Sequence, residues 1–294
     1  MGPLPHQRMF CSLIGFAALC CEPALAHAPL LEDIAHTAHV TAQMIADRSV
    51  VAPGDRLSIL LQLKVRPGWH TYWRNPGDSG LATQINWHLP PGAVAQPIQW
   101  PVPQLIRAGS AVNYGFEDGV GLISDIPIRP DWPVGTAFPI TADVTWLVCA
   151  EICIPESHSF SLTVSTGARS VLATARQPLF ASARASQPLV SPWETRISGH
   201  EGIVTLRLAL PLEEAQRVVG VQFFPADWGV IDHAARQDFS VVDGGLMISV
   251  PKGDLPTPVA ASGVIALTEN AGSGVTRKAV SFTTAAPAAV KPDR

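Results

Sequence analysis

The sequence predicts an all-β protein: two β-sandwich domains joined by a partly helical linker. Three observations lead there. Charged residues make up only 15% of the chain, while Pro (27) and Gly (23) are plentiful, a balance that suits short strands and many turns. Apolar residues alternate in short runs, spaced by roughly ten residues with Pro and Gly between them. The length, 294 residues, is enough for about two hydrophobic cores. A net charge of -4 without a basic run excludes a general nucleic-acid-binding role.

The first 26 residues read as a secretory signal. His6 and Arg8 supply a weakly basic start, residues 9–19 an apolar core, and Ala24-Leu25-Ala26 a small-x-small cleavage site, so that His27 begins the mature chain. A lipid anchor at Cys20 or Cys21 is the rival, although a bulky residue precedes each. Signal removal takes Cys11, Cys20 and Cys21 with it and leaves Cys149 and Cys153 as the only cysteines, in an oxidising compartment where paired cysteines are normally disulfides. No later apolar run approaches a membrane span, so a soluble periplasmic protein is expected.

The first domain is expected over residues 27–166. Residues 27–38 read as an irregular arm, followed by strand periodicity at 39–45 and 57–65 with Ala52-Pro53-Gly54-Asp55 as the turn. Trp69-His70-Thr71-Tyr72-Trp73 runs into a turn-rich stretch, 74–80. Further strands are expected at 83–89, 98–100, 120–128, 138–148 and 158–164, with 108–119, polar and glycine-rich, as a prominent loop. Residues 167–189 are rich in Ala, Leu and Arg and form the linker, where Pro178 must break or start a helix. The second domain, 190–285, returns to strands at 203–210, 218–224, 239–242, 246–250, 260–268 and 278–284, with Asp243-Gly244-Gly245 as a hairpin turn. Residues 286–294 read as a disordered tail.

Cys149 and Cys153 end a strand-like run, and their chemistry is open on spacing alone. As a structural disulfide, so small a loop is worth roughly 2 kcal/mol, against nearly 5 for one of about 100 residues. A bridge between close neighbours also breaks and re-forms without large chain movement, which suits a redox pair. The two sulfurs could alternatively hold Cu(I), whereas zinc needs two further ligands and no residue shows a ligand-like spacing to the pair. Glu151, between the cysteines, would raise a nearby thiol pKa. Glu156 reads as a solvated turn residue, Asp232 and His233 as a loop, and Trp69, Trp73, Trp87, Trp100 and Trp132 as packing residues. No Ser/His/Asp triad or phosphate loop stands out.

Trp146-Leu147-Val148-Cys149 and Cys153-Ile154-Pro155-Glu156 together resemble the N-terminal periplasmic domain of the DsbD family of protein-disulfide reductases, and more closely its ScsB-like branch, associated with copper tolerance. Residues 67–80 (Pro-Gly-Trp-His-Thr-Tyr-Trp-Arg-Asn-Pro-Gly-Asp-Ser-Gly), Ile98-Gln99-Trp100-Pro101 and Asn113-Tyr114-Gly115 carry the same resemblance, as do Phe223-Phe224-Pro225 and Ile231-Asp232-His233-Ala234-Ala235 in the second half.

The resemblance implies an immunoglobulin-like sandwich whose Cys149–Cys153 pair shuttles between dithiol and disulfide, with Cys153 meeting the partner sulfur and Cys149 resolving. It implies a protein-disulfide-reductase component without a cofactor, exchanging electrons with thioredoxin-like periplasmic oxidoreductases. The sequence includes no multi-span or thioredoxin-like region, so either a separate membrane thiol carrier is expected to supply it or the sequence is a piece of a longer protein. A loop facing the cysteines caps them in the family; here it corresponds to residues 112–116. The family's capping Phe is replaced by Asn113, which leaves Tyr114 and Phe116 as further cap candidates. His70 and Tyr72 fall where family aromatics approach the pair. Cu(I) stays open as a ligand, as does an inert disulfide in a structural adaptor.

Overall fold

The computed structural model describes Gly2 and residues 29–256, 260–272 and 274–284. The expected signal (Gly2 aside) and tail lie outside the described residues.

The chain folds as expected into an all-β, immunoglobulin-like architecture. In the first half, the strands Glu32–His36, Val40–Ala46, Arg56–Val65 and Gly119–Pro127 form one antiparallel sheet in that order. The second sheet is built on a long hairpin, Ala137–Cys149 against Cys153–Thr166. Gln84–His88 and His70–Gly77 pair with its first arm, and Ala111–Phe116 and Gln104–Ala108 continue outward. Arg48–Val51 and Val171–Leu172 close the other edge.

The hairpin shows why the sheets close on one core. Strand side chains alternate between faces, and Phe138, Ile140, Ala142, Val144, Trp146 and Val148 are all at most 2% exposed. They meet Met44, Ile59, Leu61, Leu63 and Leu122 of the facing sheet. Trp73 is buried in this core, with Trp69, Trp87, Trp100 and Trp132 packed at its margin.

A helix, Gln177–Ala185, follows with Pro178 in its first turn, where a missing N–H costs nothing. Phe180 and Ala183 seat it on Ile45, Leu60 and Ile123, the outer face of the first sheet. Two further antiparallel sheets then share a second core. One orders Leu189–Val190, Val275–Thr283, Ser262–Asn270 and Val218–Pro225; the other Thr195–His200, Ile203–Leu208, Gly245–Pro251 and Asp238–Val242. Gly244 and Gly245, at φ 76° and 138°, make the expected hairpin turn. Phe224 and Val264 of this half reach into the first core.

Several local expectations need correction. Part of the arm 27–38 is the edge strand Glu32–His36, whose polar residues hid its pairing with Val40–Ala46. The loop expected at 108–119 is largely a hairpin, Gln104–Ala108 with Ala111–Phe116, in which Val112, Tyr114 and Phe116 alternate into the core. Residues 98–100 contribute only a bridge, Gln99 to Ile123. The helix-forming stretch 168–176 instead adds the short strand Val171–Leu172 and a 3-10 turn, Thr174–Arg176, because the edge of Arg48–Val51 offers backbone partners.

Candidate functional site

Cys149 and Cys153 are the last cross-strand pair of the long hairpin, and Ala150 N–H donates to Ile152 O across the turn beyond them. They form a disulfide with Cα atoms 4.2 Å apart. Directly opposed residues share a face of the sheet, and Cys149 also opposes His70, so Cys153, Cys149 and His70 form one row across three strands. This face is the one turned away from the core. Cys149 is nevertheless only 1% exposed, whereas Cys153 is exposed. Glu151 and Ile152, the latter 65% exposed, stand beside it in the turn.

Tyr72 occupies the same face as His70. Its hydroxyl lies 3.4 Å from Cys153 Sγ. A disulfide sulfur carries no hydrogen, so Tyr72 is the donor. Burial pushes the Tyr72 hydroxyl up from its ordinary pKa, with Ser79 pulling more weakly the other way, so the donor stays protonated. Burial pushes the His70 pKa down, against a smaller opposing effect of Glu117, and favours the neutral imidazole. The His70 ring stands edge-on to Tyr72 at 5.1 Å and its Nε2 has no partner.

Of the three cap candidates, Asn113 belongs to this neighbourhood. Tyr72 opposes Gly115, which puts residues 113 and 115 on its face. Asn113 Oδ1 accepts from Ser79 N–H at 3.2 Å and from Ser79 Oγ at 3.0 Å, and Ser79 adjoins Tyr72. Tyr114 and Phe116 fall on the opposite face, inside the core. Tyr114 meets Phe224 at 5.0 Å and His233 at 5.2 Å, both from the second half of the chain. Burial, followed by the charges of Asp78 and Asp232, pushes its hydroxyl strongly upward.

Glu156 is not a solvated turn residue. It opposes Trp146, three pairs back from the cysteines, and its side chain is 7% exposed. Its carboxylate accepts from Thr37 Oγ1 (2.5 Å), from His39 N–H (3.1 Å) and from Trp146 Nε1 (3.2 Å), with His39 Nδ1 at 2.8 Å. Burial opposes its charge, but the bonds from Thr37, His39 and Trp146 together hold it below the usual glutamate range. The His39 ring lies 3.9 Å from that of Trp69. This cluster ties the cysteine hairpin to the first sheet. Nothing in the spacing of Glu156 could reveal partners 117 and 119 residues away.

No group of three or more His, Cys, Asp or Glu that could hold a metal occurs among the described residues. No helix among them is long and apolar enough to cross a membrane.

Residues 40–165 match the family model described as thiol:disulfide interchange protein DsbD, N-terminal. Among solved structures, the chain is similar to the N-terminal periplasmic domain of ScsB from Proteus mirabilis, with 18% identity and a TM-score of 0.62 over 87% of this chain and 99% of that chain. That likeness speaks for the fold. No curated protein matches the chain.

Proposed function

We propose, from the premise that residues 40–165 belong to the DsbD N-terminal family, that the chain passes electron pairs through Cys149 and Cys153 to or from thioredoxin-like proteins. The observation that carries this reading is the inequality of the two sulfurs. Exchange needs one sulfur open to a partner and a second within reach to resolve the product. Cys153 is exposed beside an apolar Ile152, and Cys149 is buried against it.

In the reducing direction, the Cys153 thiolate attacks one sulfur of a partner disulfide and the other partner sulfur leaves as thiolate. Cys149 then loses its proton and attacks Cys153 Sγ, expelling the second partner thiolate. Two electrons pass to the partner, and the pair is left oxidised. A donor dithiol reloads it by the reverse steps; that donor is a separate membrane thiol carrier in this reading. The Tyr72 hydroxyl donates to Cys153 Sγ and favours its thiolate over its thiol.

The reading includes export to the periplasm, cleavage before His27, and redox work confined to the domain 27–166, with 190–285 as a second domain. The Cu(I) alternative has only the two sulfurs behind it.

The test is a mixed-disulfide trap with thioredoxin-like proteins carrying a single active-site cysteine. Cys149→Ala should capture them through Cys153, while Cys153→Ala captures far less because its remaining thiol is covered. Capture by neither variant would sink the exchange reading, and preferential capture through Cys149 would reverse the assigned order.

A further inference from the structure

Between the strand His70–Gly77 and residue 81 the chain makes a short strap, Asp78-Ser79-Gly80, whose path only glycine permits at both ends. Gly77 has φ 85°, and a Cβ there would sit 2.4 Å from Val112 O; Gly80 has φ 100°, and a Cβ there would sit 2.2 Å from Tyr72 Cε1. The strap therefore lies flat on the strand Ala111–Phe116 at one end and on the Tyr72 ring at the other. Asp78 fixes the first end: its N–H donates to Val112 O (3.0 Å), and its Oδ2 accepts from Val112 N–H (2.7 Å). Ser79 fixes the middle through Asn113 Oδ1.

The other carboxylate oxygen of Asp78 turns to the second half of the chain. It lies 3.1 Å from Nδ1 of His233, whose side chain is 4% exposed. The start of the strap is held from the same side. Asn75 Nδ2 donates to Pro225 O (2.9 Å) and Asp227 O (3.2 Å), while Asn75 Oδ1 accepts from Gly77 N–H (3.1 Å). A continuous series of contacts thus runs from His233 through Asp78, Ser79 and Gly80 to Tyr72, and ends at Cys153 Sγ.

We propose that the second domain braces the hydrogen-bond donor on the reactive sulfur: His233 is a positioning residue that, through Asp78, holds the strap on Tyr72 and so holds the Tyr72 hydroxyl against Cys153. This rests on the exchange reading for its biological meaning, but its physical content is separate. It gives the second domain a task, since anything that displaces residues 225–233 loosens the Tyr72 donor on Cys153.

The experiment reads the acidity of the Cys153 thiol in the reduced full-length chain. The probe is iodoacetamide, the quantity is the alkylation rate across a pH series, whose midpoint follows the thiol's acidity, and peptide mass mapping assigns it to Cys153. His233→Ala should move that midpoint upward and slow alkylation at neutral pH at least about fivefold, the lower bound of typical coupling between sites. His233→Asn, which keeps a donor near the Nδ1 position, should stay near the wild-type rate. Asp78→Ala should match His233→Ala, and the double variant should be no slower than either single one. A wild-type rate for folded His233→Ala, or a double variant slower than both singles, overturns the brace. If His233→Ala fails to show a cooperative thermal transition, Asp78→Ala alone decides, and a wild-type rate there overturns it equally. Failure of the exchange reading appears elsewhere, as absence of trapped partners, and leaves these rates interpretable.

Discussion

At the scale of single residues, two cysteines in adjacent strands differ because their surroundings differ. Cys149 is closed in beside His70, while Cys153 stands at the hairpin end with one donor, Tyr72, on its sulfur. The cysteine pair was legible in the sequence once Cys11, Cys20 and Cys21 were assigned to an expected signal. Tyr72 was legible only through the family resemblance, and Glu156 not at all, because Thr37 and His39 reach it from a turn more than a hundred residues away in the chain. Glu156 also carries a pH prediction. A carboxylate whose folded pKa is depressed stabilises the fold above its unfolded value, and that contribution is lost as pH falls through the folded value. Glu156→Gln should therefore cost about 2 kcal/mol near neutral pH, where a buried charged acceptor loses its donors. The gap to wild type should close as pH drops below the ordinary glutamate value of 4.5. Urea unfolding at a series of pH values measures it, and a gap that widens in acid would contradict the assignment.

At the scale of elements, the site is the junction of the long hairpin with the strands His70–Gly77 and Ala111–Phe116. Periodicity identified the hairpin's first arm, since six alternate apolar side chains face one core. It missed the strand Ala111–Phe116, because Gly115 and Asn113 resemble loop residues when read locally. The structure supplies the reason for glycine: a Cβ at Gly115 would lie 2.1 Å from Thr71 O. Two backbones approach closely there, and the outer strand thereby brings Asn113 to Ser79. Gly115→Ala should force the strands apart and lower unfolding free energy by about 2 kcal/mol, within the usual cost of overpacking. A variant as stable as wild type in urea unfolding would show that the approach can relax. The helix was half legible for a related reason. Ala, Leu and Arg favour helix throughout 168–185, but only Gln177–Ala185 has an apolar surface to sit on, through Phe180 and Ala183.

At the scale of the whole molecule, the two halves have separate cores but share a border where Phe224 packs on Tyr114 and Trp73, and His233 meets Asp78. Strand texture revealed both halves, but no local pattern could show that a histidine near residue 230 adjoins the strap beside the cysteines. A reduction potential belongs to this scale, because it is the free-energy difference between the folded disulfide and folded dithiol forms. Structural bridges are typically found below about -300 mV, out of reach of physiological dithiols, whereas exchanging pairs lie above it. The most direct measurement is equilibration of the purified chain in dithiol–disulfide buffers of graded potential, with the redox state of Cys149–Cys153 read by thiol alkylation and mass. Half-reduction at a potential above about -300 mV is the result predicted for an exchange protein. A pair that stays oxidised well below that value would contradict the account and leave the bridge as a structural one.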